Sequence, residues 1–447
     1  MELSLAQVLQ ATGAQLFDAF PEARARGWSI DSRTVSPGDL FFAIKGERFD
    51  GHAYTDAAVA KGAVAAVVSE AAGSVPRLLV ADTLVALQRL AQWARVYWGG
   101  PVVAVTGSAG KTSTKDIIAE LLSTRFRVAK TSGNLNNHIG LPLTLLRIPA
   151  DAQVAVIEMG MNHAGEIRQL SVIAEPQYGV VTNVGFAHVE YFSSIEGVAA
   201  AKRELIEALP STGIAILNAD DERVLKFRES HAGAAITYGF SPKADLRAAD
   251  VKIGPDGAAF TVDGVRFNSG LTGRHGVSNT LAGLAVSTLF GSALQDLVDA
   301  VARLAPGKMR GERTNWNGVT VLNDSYNSNP EAARNMLDVL AAEPANRKIA
   351  VLGAMLELGS MSEQLHRELG NYSVQCGVDL VVGVSGAARF VLEGARDAGL
   401  PADAALFFDD PETAGAFLRE FVRAGDAVLF KGSRGTHVER ALAGMEA

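Results

Sequence analysis

The chain has 447 residues, 48% of them hydrophobic and 20% charged, so it has enough apolar side chains for several packed domains and is not a disordered protein. A formal net charge of −8 argues against generic attraction to nucleic acid or to an anionic membrane. The single cysteine, Cys376, cannot form an internal disulfide, and we find no targeting segment and no apolar run long enough to span a bilayer. We therefore expect a cytoplasmic protein without a membrane span, in which any phosphate is bound by a local site.

The first 99 residues have the pattern of a small α/β unit. Apolar runs at 40–44 and 65–69 are typical of buried strands, and residues 84–97 predict an amphipathic helix. The sequence Asp31-Ser32-Arg33 is either a solvated turn or an anchor for a diphosphate, and the sequence does not decide between the two. The segment Trp98-Gly-Gly-Pro101 breaks the helix, so we place a domain boundary there.

A phosphate-binding loop follows this boundary. The apolar run at 102–105 leads into Thr106-Gly-Ser-Ala-Gly-Lys-Thr112 and then into a predicted helix. Glycines allow the tight turn that aims backbone N–H groups at a polyphosphate, while Lys111 adds a charge and Thr112 a hydroxyl for Mg²⁺. The usual pattern has a glycine where Val105 stands, so this loop is a shorter variant. The residues expected to bind the nucleotide here are Gly107, Ser108, Ala109, Gly110, Lys111, Thr112 and Ser113.

Residues 101–306 alternate short apolar runs with helical stretches, which indicates a parallel sheet covered on both faces. Ligands of such sheets bind at the carboxyl ends of the strands. Glu158 comes directly after the run at 154–157, His188 follows the run at 179–182, and Lys202 lies on the next predicted helix. Taken singly, these residues could be a helix cap, a structural histidine and a solvated lysine. Their placement beside a phosphate loop favours a shared Mg²⁺-nucleotide site.

Two further stretches of this segment carry candidate ligands. Residues 131–142 form an amide-rich loop, in which Asn134 and Asn137 are expected to contact substrate or metal. Residues 244–268 predict short antiparallel strands with an Asp263-Gly264 turn. A helix is predicted over 280–288, with Asn279 in its first turn, where it could bind an adenine edge or be a polar residue near a helix N-terminus.

The last segment predicts a second doubly wound domain, Rossmann-like and without its own phosphate loop. Strands are expected at 319–322, 348–352, 379–382 and 427–430, alternating with helices. A polar loop, Asn323-Asp-Ser-Tyr-Asn-Ser-Asn-Pro330, follows the first of these strands. This domain must share the nucleotide of the central segment or bring another substrate.

Together these motifs resemble the Mur ligases of peptidoglycan synthesis. The resemblance rests on the phosphate loop, on Gly133-Asn-Leu-Asn-Asn-His-Ile-Gly-Leu-Pro142, on Glu158-Met-Gly-Met-Asn-His163, on His188 and Ala201-Lys202, and on the loop at 323–330. It covers essentially the whole chain and implies three α/β domains. They are a UDP-sugar-peptide-binding domain over 1–99, a P-loop ATP-binding domain over 100–310, and a C-terminal domain over 311–447 that binds the incoming dipeptide and closes on ATP.

The resemblance implies an ATP-dependent amide ligase whose substrates are UDP-N-acetylmuramoyl-tripeptide and D-alanyl-D-alanine. We also expect the protein to be a monomer. By resemblance, Thr112 and Glu158 hold the Mg²⁺ of the nucleotide, while His188 and a carbamylated Lys202 serve a second Mg²⁺. The remaining implied ligands are Asn279, Arg313 and Asp324 for ATP, and Ser32, Arg33, Asn134, Asn137 and Asn327 for the substrates.

Two positions depart from the family pattern. Gly276 stands where an asparagine usually follows His275. In the last domain Ala354 replaces an aspartate of the family pattern, and this loss argues against a role of that loop in binding the second substrate or in domain closure. Two alternatives stay open at this point. One is another ligase of this type that adds a single amino acid, although the string Asp409-Asp-Pro-Glu412 lacks the arginine typical of the sister enzyme that adds the third residue. The other is a nucleotide-binding switch protein that is not a ligase.

Overall fold

A computed structural model describes residues 1–46, 49–70 and 75–447. Within these residues, sheets of five, seven and six strands follow one another along the chain, and most of their strands are parallel. The predicted α/β class is therefore confirmed. No helix in the described ranges combines the length and the apolar character that a bilayer span requires.

The five-stranded sheet belongs to the first 99 residues. Its strands, in spatial order, are Gln15–Phe17, Arg77–Leu79, Ala65–Val68, Asp39–Phe42 and Gly27–Ser29, and a two-stranded pair joins Leu3–Ser4 to Arg24–Ala25. The helices are Leu5–Thr12, Thr55–Ala60 and Thr83–Trp98. The last begins where the Asp82 carboxylate accepts the N–H groups of Leu84 and Val85, and it ends at Gly99, whose φ is 73°.

The seven-stranded sheet is entirely parallel. Its spatial order is Leu246–Arg247, Ala234–Gly239, Ile214–Asn218, Tyr178–Val181, Val102–Thr106, Val154–Glu158 and Val128–Lys130. The helices of this segment are Lys111–Leu122, Gly140–Leu146, Glu166–Ala174, Ile195–Glu207, Glu222–Lys226, Gly273–Leu289 and Val298–Ala302. Because the strand Val102–Thr106 lies between Tyr178–Val181 and Val154–Glu158, three neighbouring carboxyl ends bring the phosphate loop, Glu158 and the loop that carries His188 together.

The predicted antiparallel excursion forms a three-stranded sheet of Ala249–Gly254, Gly257–Val262 and Val265–Ser269. Asp263 and Gly264 form its two-residue turn, both with positive φ. The following helix begins at Gly273 rather than at residue 280, so the prediction that Asn279 lies in its first turn was wrong. Packing overrides the weak helix propensity of this glycine-containing segment. Gly283, for example, lies so close to the phosphate-loop helix that a Cβ there would meet Ile117 at 2.7 Å.

The six-stranded sheet belongs to the last segment. Its spatial order is Glu312–Trp316, Val319–Asp324, Ala427–Lys431, Lys348–Gly353, Leu380–Val384 and Ala405–Phe408, with the first strand antiparallel to the second. The helices are Pro330–Ala342, Ser362–Gln375, Arg389–Asp397, Pro411–Phe421 and Glu439–Glu446. The segment contacts the central one directly, since Asn329 Nδ2 donates to the carbonyl of Ser108 at 3.2 Å and Phe186 N donates to Glu331 Oε1 at 3.1 Å.

Candidate active site

A cavity of about 500 Å³ lies between the central segment and the C-terminal segment. The phosphate loop and its helix form one wall, and the loop that follows the strand Val319–Asp324 forms the opposite wall. The predicted site residues that line it are Ser108, Ala109, Gly110, Lys111, Thr112, Ser113, Asn134, Asn137, Glu158, His188, Asn279, Asp324 and Asn327. The structure thus brings together residues that lie more than 200 positions apart in the sequence.

Two glycines shape the phosphate loop. At Gly107, φ is 152° and a Cβ would lie 1.9 Å from Thr182 Oγ1, so no other residue fits there. At Gly110, φ is 77° and a Cβ would lie 2.9 Å from Asn279 Oδ1. The loop is therefore packed directly against the strand beside it and against the helix that carries Asn279.

Only part of the loop's backbone is available to a phosphate. Asn183 occupies two of the N–H groups, because Ser108 N donates to its carbonyl oxygen at 3.0 Å and Ala109 N donates to its Oδ1 at 2.8 Å. The N–H groups at the start of a helix have no partner within the helix, and here they belong to Lys111, Thr112 and Ser113. An anion is therefore expected at the helix start, with Ser108 and Ala109 holding the loop in shape.

Lys111 lies inside this site and is half-buried. Its Nζ donates to the carbonyl of Gly107 at 2.8 Å. Burial lowers the pKa of Lys111, the nearby charge of Arg310 lowers it further, and the charge of Glu158 opposes both effects. A polyphosphate bound near Lys111 and Arg310 would balance their positive charges.

Glu158 is the last residue of the strand Val154–Glu158 and is only 2% exposed. Asn136 Nδ2 donates to its Oε1 at 2.8 Å, and its backbone N donates to Thr131 Oγ1 at 2.9 Å. Its second oxygen, Oε2, is buried without a hydrogen-bond partner. An unsatisfied buried carboxylate oxygen beside a phosphate loop fits a cation, because leaving it unpaired is costly.

The other two predicted metal ligands differ in their surroundings. His188 lines the cavity, and its Nδ1 lies 2.5 Å from Oε2 of Glu357 in the C-terminal segment. Lys202 does not line the cavity and is 1% exposed on the helix Ile195–Glu207. Burial, followed by the charge of Lys111, lowers the pKa of Lys202 well below its usual value. In the described part of the chain, no group of three or more His, Cys, Asp or Glu side chains is placed to hold a metal ion.

The C-terminal wall is also charged. Lys431 Nζ donates to the carboxylate of Asp324 and, at 2.9 Å, to the carbonyl of Asn327. Arg310 lies over the ring of Tyr326, with 3.9 Å from its Cζ to the ring centroid. This wall therefore lines the cavity with two cations and a carboxylate.

Comparison with known proteins gives this site a family. Three family models match in succession: the Mur ligase family catalytic domain over 24–97, the Mur ligase middle domain over 105–287, and the Mur ligase glutamate ligase domain over 309–434. The UDP-N-acetylmuramoyl-tripeptide--D-alanyl-D-alanine ligase of Bacillus subtilis is 35% identical over 444 residues, which are 98% of this chain and 96% of that protein. The chain belongs to the Mur ligase family.

Solved structures of Mur ligases agree with this assignment over the whole fold. A crystal structure of MurF from Acinetobacter baumannii matches with a TM-score of 0.93 and 31% identity, covering 100% of this chain and 99% of that one. MurF from Thermotoga maritima in complex with ADP matches with a TM-score of 0.85 and 32% identity, covering 94% and 97%. The resemblance stated from the motifs is therefore confirmed.

Five residues predicted for this ligase's site do not line the cavity: Gly107 and Lys202, described above, and also Arg313, Ser32 and Arg33. Arg313 donates to both oxygens of Glu343 at 3.0 Å and lies 3.6 Å from Asp256. Ser32 and Arg33 lie in the N-terminal segment, where Lys61 Nζ binds their carbonyls at 3.0 and 3.2 Å. The Arg33 side chain is 86% exposed, and its hydrogen bonds lower the pKa of Asp31 to about 2.

Four residues outside the set predicted for the site also line the ligase's cavity. Asn136 holds Glu158, Asn183 shapes the phosphate loop, and Arg310 and Lys431 supply cations. A signal existed for Asn136 in the amide-rich loop and for Lys431 in the Lys431-Gly-Ser-Arg434 stretch at a strand end. Asn183 and Arg310 stand in segments that have no distinctive pattern.

Proposed function

We infer that this Mur ligase joins D-alanyl-D-alanine to UDP-N-acetylmuramoyl-tripeptide and converts ATP to ADP and phosphate. The main observation behind this inference is that Oε2 of Glu158 is buried beside the phosphate loop without a hydrogen-bond partner. It lies at a cavity whose opposite wall belongs to the C-terminal segment. The relatives named above act, by their names, on these substrates, and the structural neighbour with ADP supports the use of ATP.

The reaction needs two transfers. A carboxylate oxygen of the tripeptide attacks the γ-phosphorus, the bond to the β-phosphate oxygen breaks, and ADP leaves. The amine of the dipeptide then attacks the acyl carbon, phosphate leaves, and the amine loses a proton. Lys111 and the helix start at Lys111–Ser113 stabilise the charge of the phosphates, while Arg310 and Lys431 approach it from the other wall.

We propose that Thr112 and Glu158 hold the Mg²⁺ of the nucleotide and that His188 and Lys202 serve a second Mg²⁺. Bound Mg²⁺ would neutralise the phosphate charge that develops during transfer. Burial favours the neutral amine of Lys202, and a neutral amine is the form that reacts with CO₂ to give a carbamate. A carbamylated Lys202 would be a carboxylate-like ligand in place of a buried neutral amine.

Further proposals concern the substrates. Asn279 and Asp324 would bind adenine and ribose, and Asn134, Asn137 and Asn327 would contact the peptide substrates, since all of them line the cavity. Ser32 and Arg33 would bind the UDP-sugar, for which the exposed guanidinium is available. We propose domain boundaries after residues 99 and 310, and we propose that the protein is a cytoplasmic monomer.

Phosphate release tests the function. We expect release only when ATP, Mg²⁺, UDP-N-acetylmuramoyl-tripeptide and D-alanyl-D-alanine are all present, with a product heavier by the dipeptide less one water. Replacing the dipeptide by single amino acids separates this ligase from one that adds one residue. Release that does not depend on the dipeptide would contradict the proposal.

Lys202 can be tested by ¹³C NMR in ¹³C-labelled bicarbonate. We expect a carbamate signal in the wild type and none in Lys202→Ala, which should bind ATP but not turn over. A wild-type spectrum without that signal would contradict carbamylation, while a Lys202→Ala variant with normal turnover would contradict any role of this lysine.

A further inference from the structure

Glu357 faces His188 across the boundary between the central segment and the C-terminal segment. His188 belongs to the loop after the strand Tyr178–Val181, and Glu357 to the loop after the strand Lys348–Gly353. Their Nδ1 and Oε2 atoms are 2.5 Å apart, and the two side chains are 22% and 37% exposed. The contact places a carboxylate oxygen of the C-terminal segment directly beside this ring nitrogen.

The backbone around this contact is fixed on both sides of the boundary. Glu190 N donates to the carbonyl of Glu357 at 3.1 Å. A Cβ at Gly359 would lie 3.1 Å from Cα of Glu190, so the two loops pack closely. His188 and Glu357 both have φ of 62°, a left-handed conformation that costs a side-chain-bearing residue energy. Such conformations persist where the surroundings hold them.

The loop that carries Glu357 is anchored within its own segment. Met355 N donates to His366 Nε2 at 2.9 Å, and Leu356 N donates to Ser433 Oγ at 2.9 Å. Ala354, which replaces the aspartate of the family pattern, is buried, and its carbonyl accepts the N–H of Ser433. The acidic residue of this loop that faces the central segment is therefore Glu357, and hydrogen bonds within the C-terminal segment hold the backbone next to it.

We propose that Glu357 is a positioning residue that fixes the ring of His188 when the C-terminal segment is docked. A carboxylate beside Nδ1 keeps the ring proton on Nδ1 and leaves the lone pair of Nε2 free, which is the arrangement found behind metal-binding histidines. His188 would then be correctly oriented only while the two segments are in contact. The inference rests on the proposed function, because only that function makes His188 a metal ligand.

The test compares Glu357→Ala and Glu357→Gln with the matched control Glu190→Gln. The control removes the same charge two residues from His188 and keeps the backbone contact. The ¹⁵N shifts of histidine-labelled full-length protein report the tautomer, with the His188 signals assigned from His188→Ala. We expect an Nδ1-protonated ring in the wild type and in the control. In Glu357→Ala and Glu357→Gln the signal should move toward the Nε2-protonated form.

Metal affinity gives a second readout without turnover. We expect Glu357→Ala to weaken Mn²⁺ binding, followed by EPR with a non-hydrolysable ATP analogue, by roughly 10- to 100-fold. The same change in a His188→Ala background should add nothing. An unchanged tautomer in Glu357→Ala and Glu357→Gln, or an equal additional loss in the His188→Ala background, would overturn the proposal. If the wild type fails to release phosphate with its substrates, the proposed function fails, and the tautomer measurement still decides the role of Glu357.

Discussion

The clearest prediction about the site concerns Asn136, whose side-chain amide donates a hydrogen bond to the Glu158 carboxylate. Its Nδ2 lies 2.8 Å from Oε1, and Glu158 is almost fully buried. A hydrogen bond to a charged group is worth about 1.5–3 kcal/mol, and each 1.4 kcal/mol is tenfold, so losing it should cost roughly 10- to 150-fold. We expect Asn136→Ala to lower kcat/KM by that factor in the phosphate-release assay.

The loss should depend on Mg²⁺. Since Glu158 is proposed to hold the nucleotide's metal ion, Asn136→Ala should raise the Mg²⁺ concentration needed for half-maximal rate. It should leave the melting temperature within a few degrees of the wild type, because the change removes a small polar side chain at the edge of a cavity.

A double-mutant comparison separates this explanation from a general disturbance of the loop. If Asn136 acts through Glu158, the variant Asn136→Ala/Glu158→Gln should be no slower than Glu158→Gln alone. Losses that multiply in the double variant would refute the reasoning. So would an Asn136→Ala enzyme whose Mg²⁺ dependence is that of the wild type.

Three further predictions concern the loop, the segment boundary and the arginines. Gly107→Ala should weaken ATP binding, measured by calorimetry, at least tenfold, because its Cβ would lie 1.9 Å from Thr182 Oγ1. The control Gly13→Ala, at a position with φ of 71° and open space around it, should leave ATP binding unchanged. Equal ATP affinities of the two variants would contradict this packing argument. Burial raises the pKa of Glu331 above 4.5, so the folded state holds this proton more tightly than the unfolded state, and the wild type should lose stability as pH rises from 4.5 toward the folded pKa. The difference in melting temperature between Glu331→Gln and the wild type should therefore increase as the pH rises through that window. A difference that does not change with pH would contradict the raised pKa of Glu331. Arg313→Ala leaves the buried Glu343 unpaired and should cost about 1–3 kcal/mol of stability, measured by chemical unfolding. Arg310→Ala, by contrast, should lower kcat/KM with little effect on unfolding, and the reverse order of effects would refute this assignment.

The parts of the site that lie on one continuous stretch could be predicted from the sequence. An apolar strand, two glycines and Lys111-Thr112 at a helix start define a phosphate loop by local geometry alone. Glu158 could be predicted because parallel strands end at one edge of the sheet, so an acid after a buried run must lie near that loop.

The two arginines show what the sequence alone does not decide. Arg313 and Arg310 both precede the strand Val319–Asp324, and the resemblance names Arg313 as an ATP ligand. In the structure Arg313 lies on the strand Glu312–Trp316, and successive residues of a strand point to opposite faces. The register, with Arg313 opposite Leu322, turns its guanidinium to Glu343. A shift of one residue would reverse the face, and the sequence does not fix that register.

The residues of the segment boundary could not be predicted for a different reason. Glu331 has the position of an ordinary acid in the first turn of the helix Pro330–Ala342, where the helix dipole alone would explain it. In the structure it accepts the N–H of Phe186, two residues before His188, and its second oxygen is buried without a partner. Its neighbour Asn329 donates to the phosphate loop at Ser108. Because these contacts exist only when two separately folded sheets meet, they tie the geometry of the reaction site to docking of the C-terminal segment.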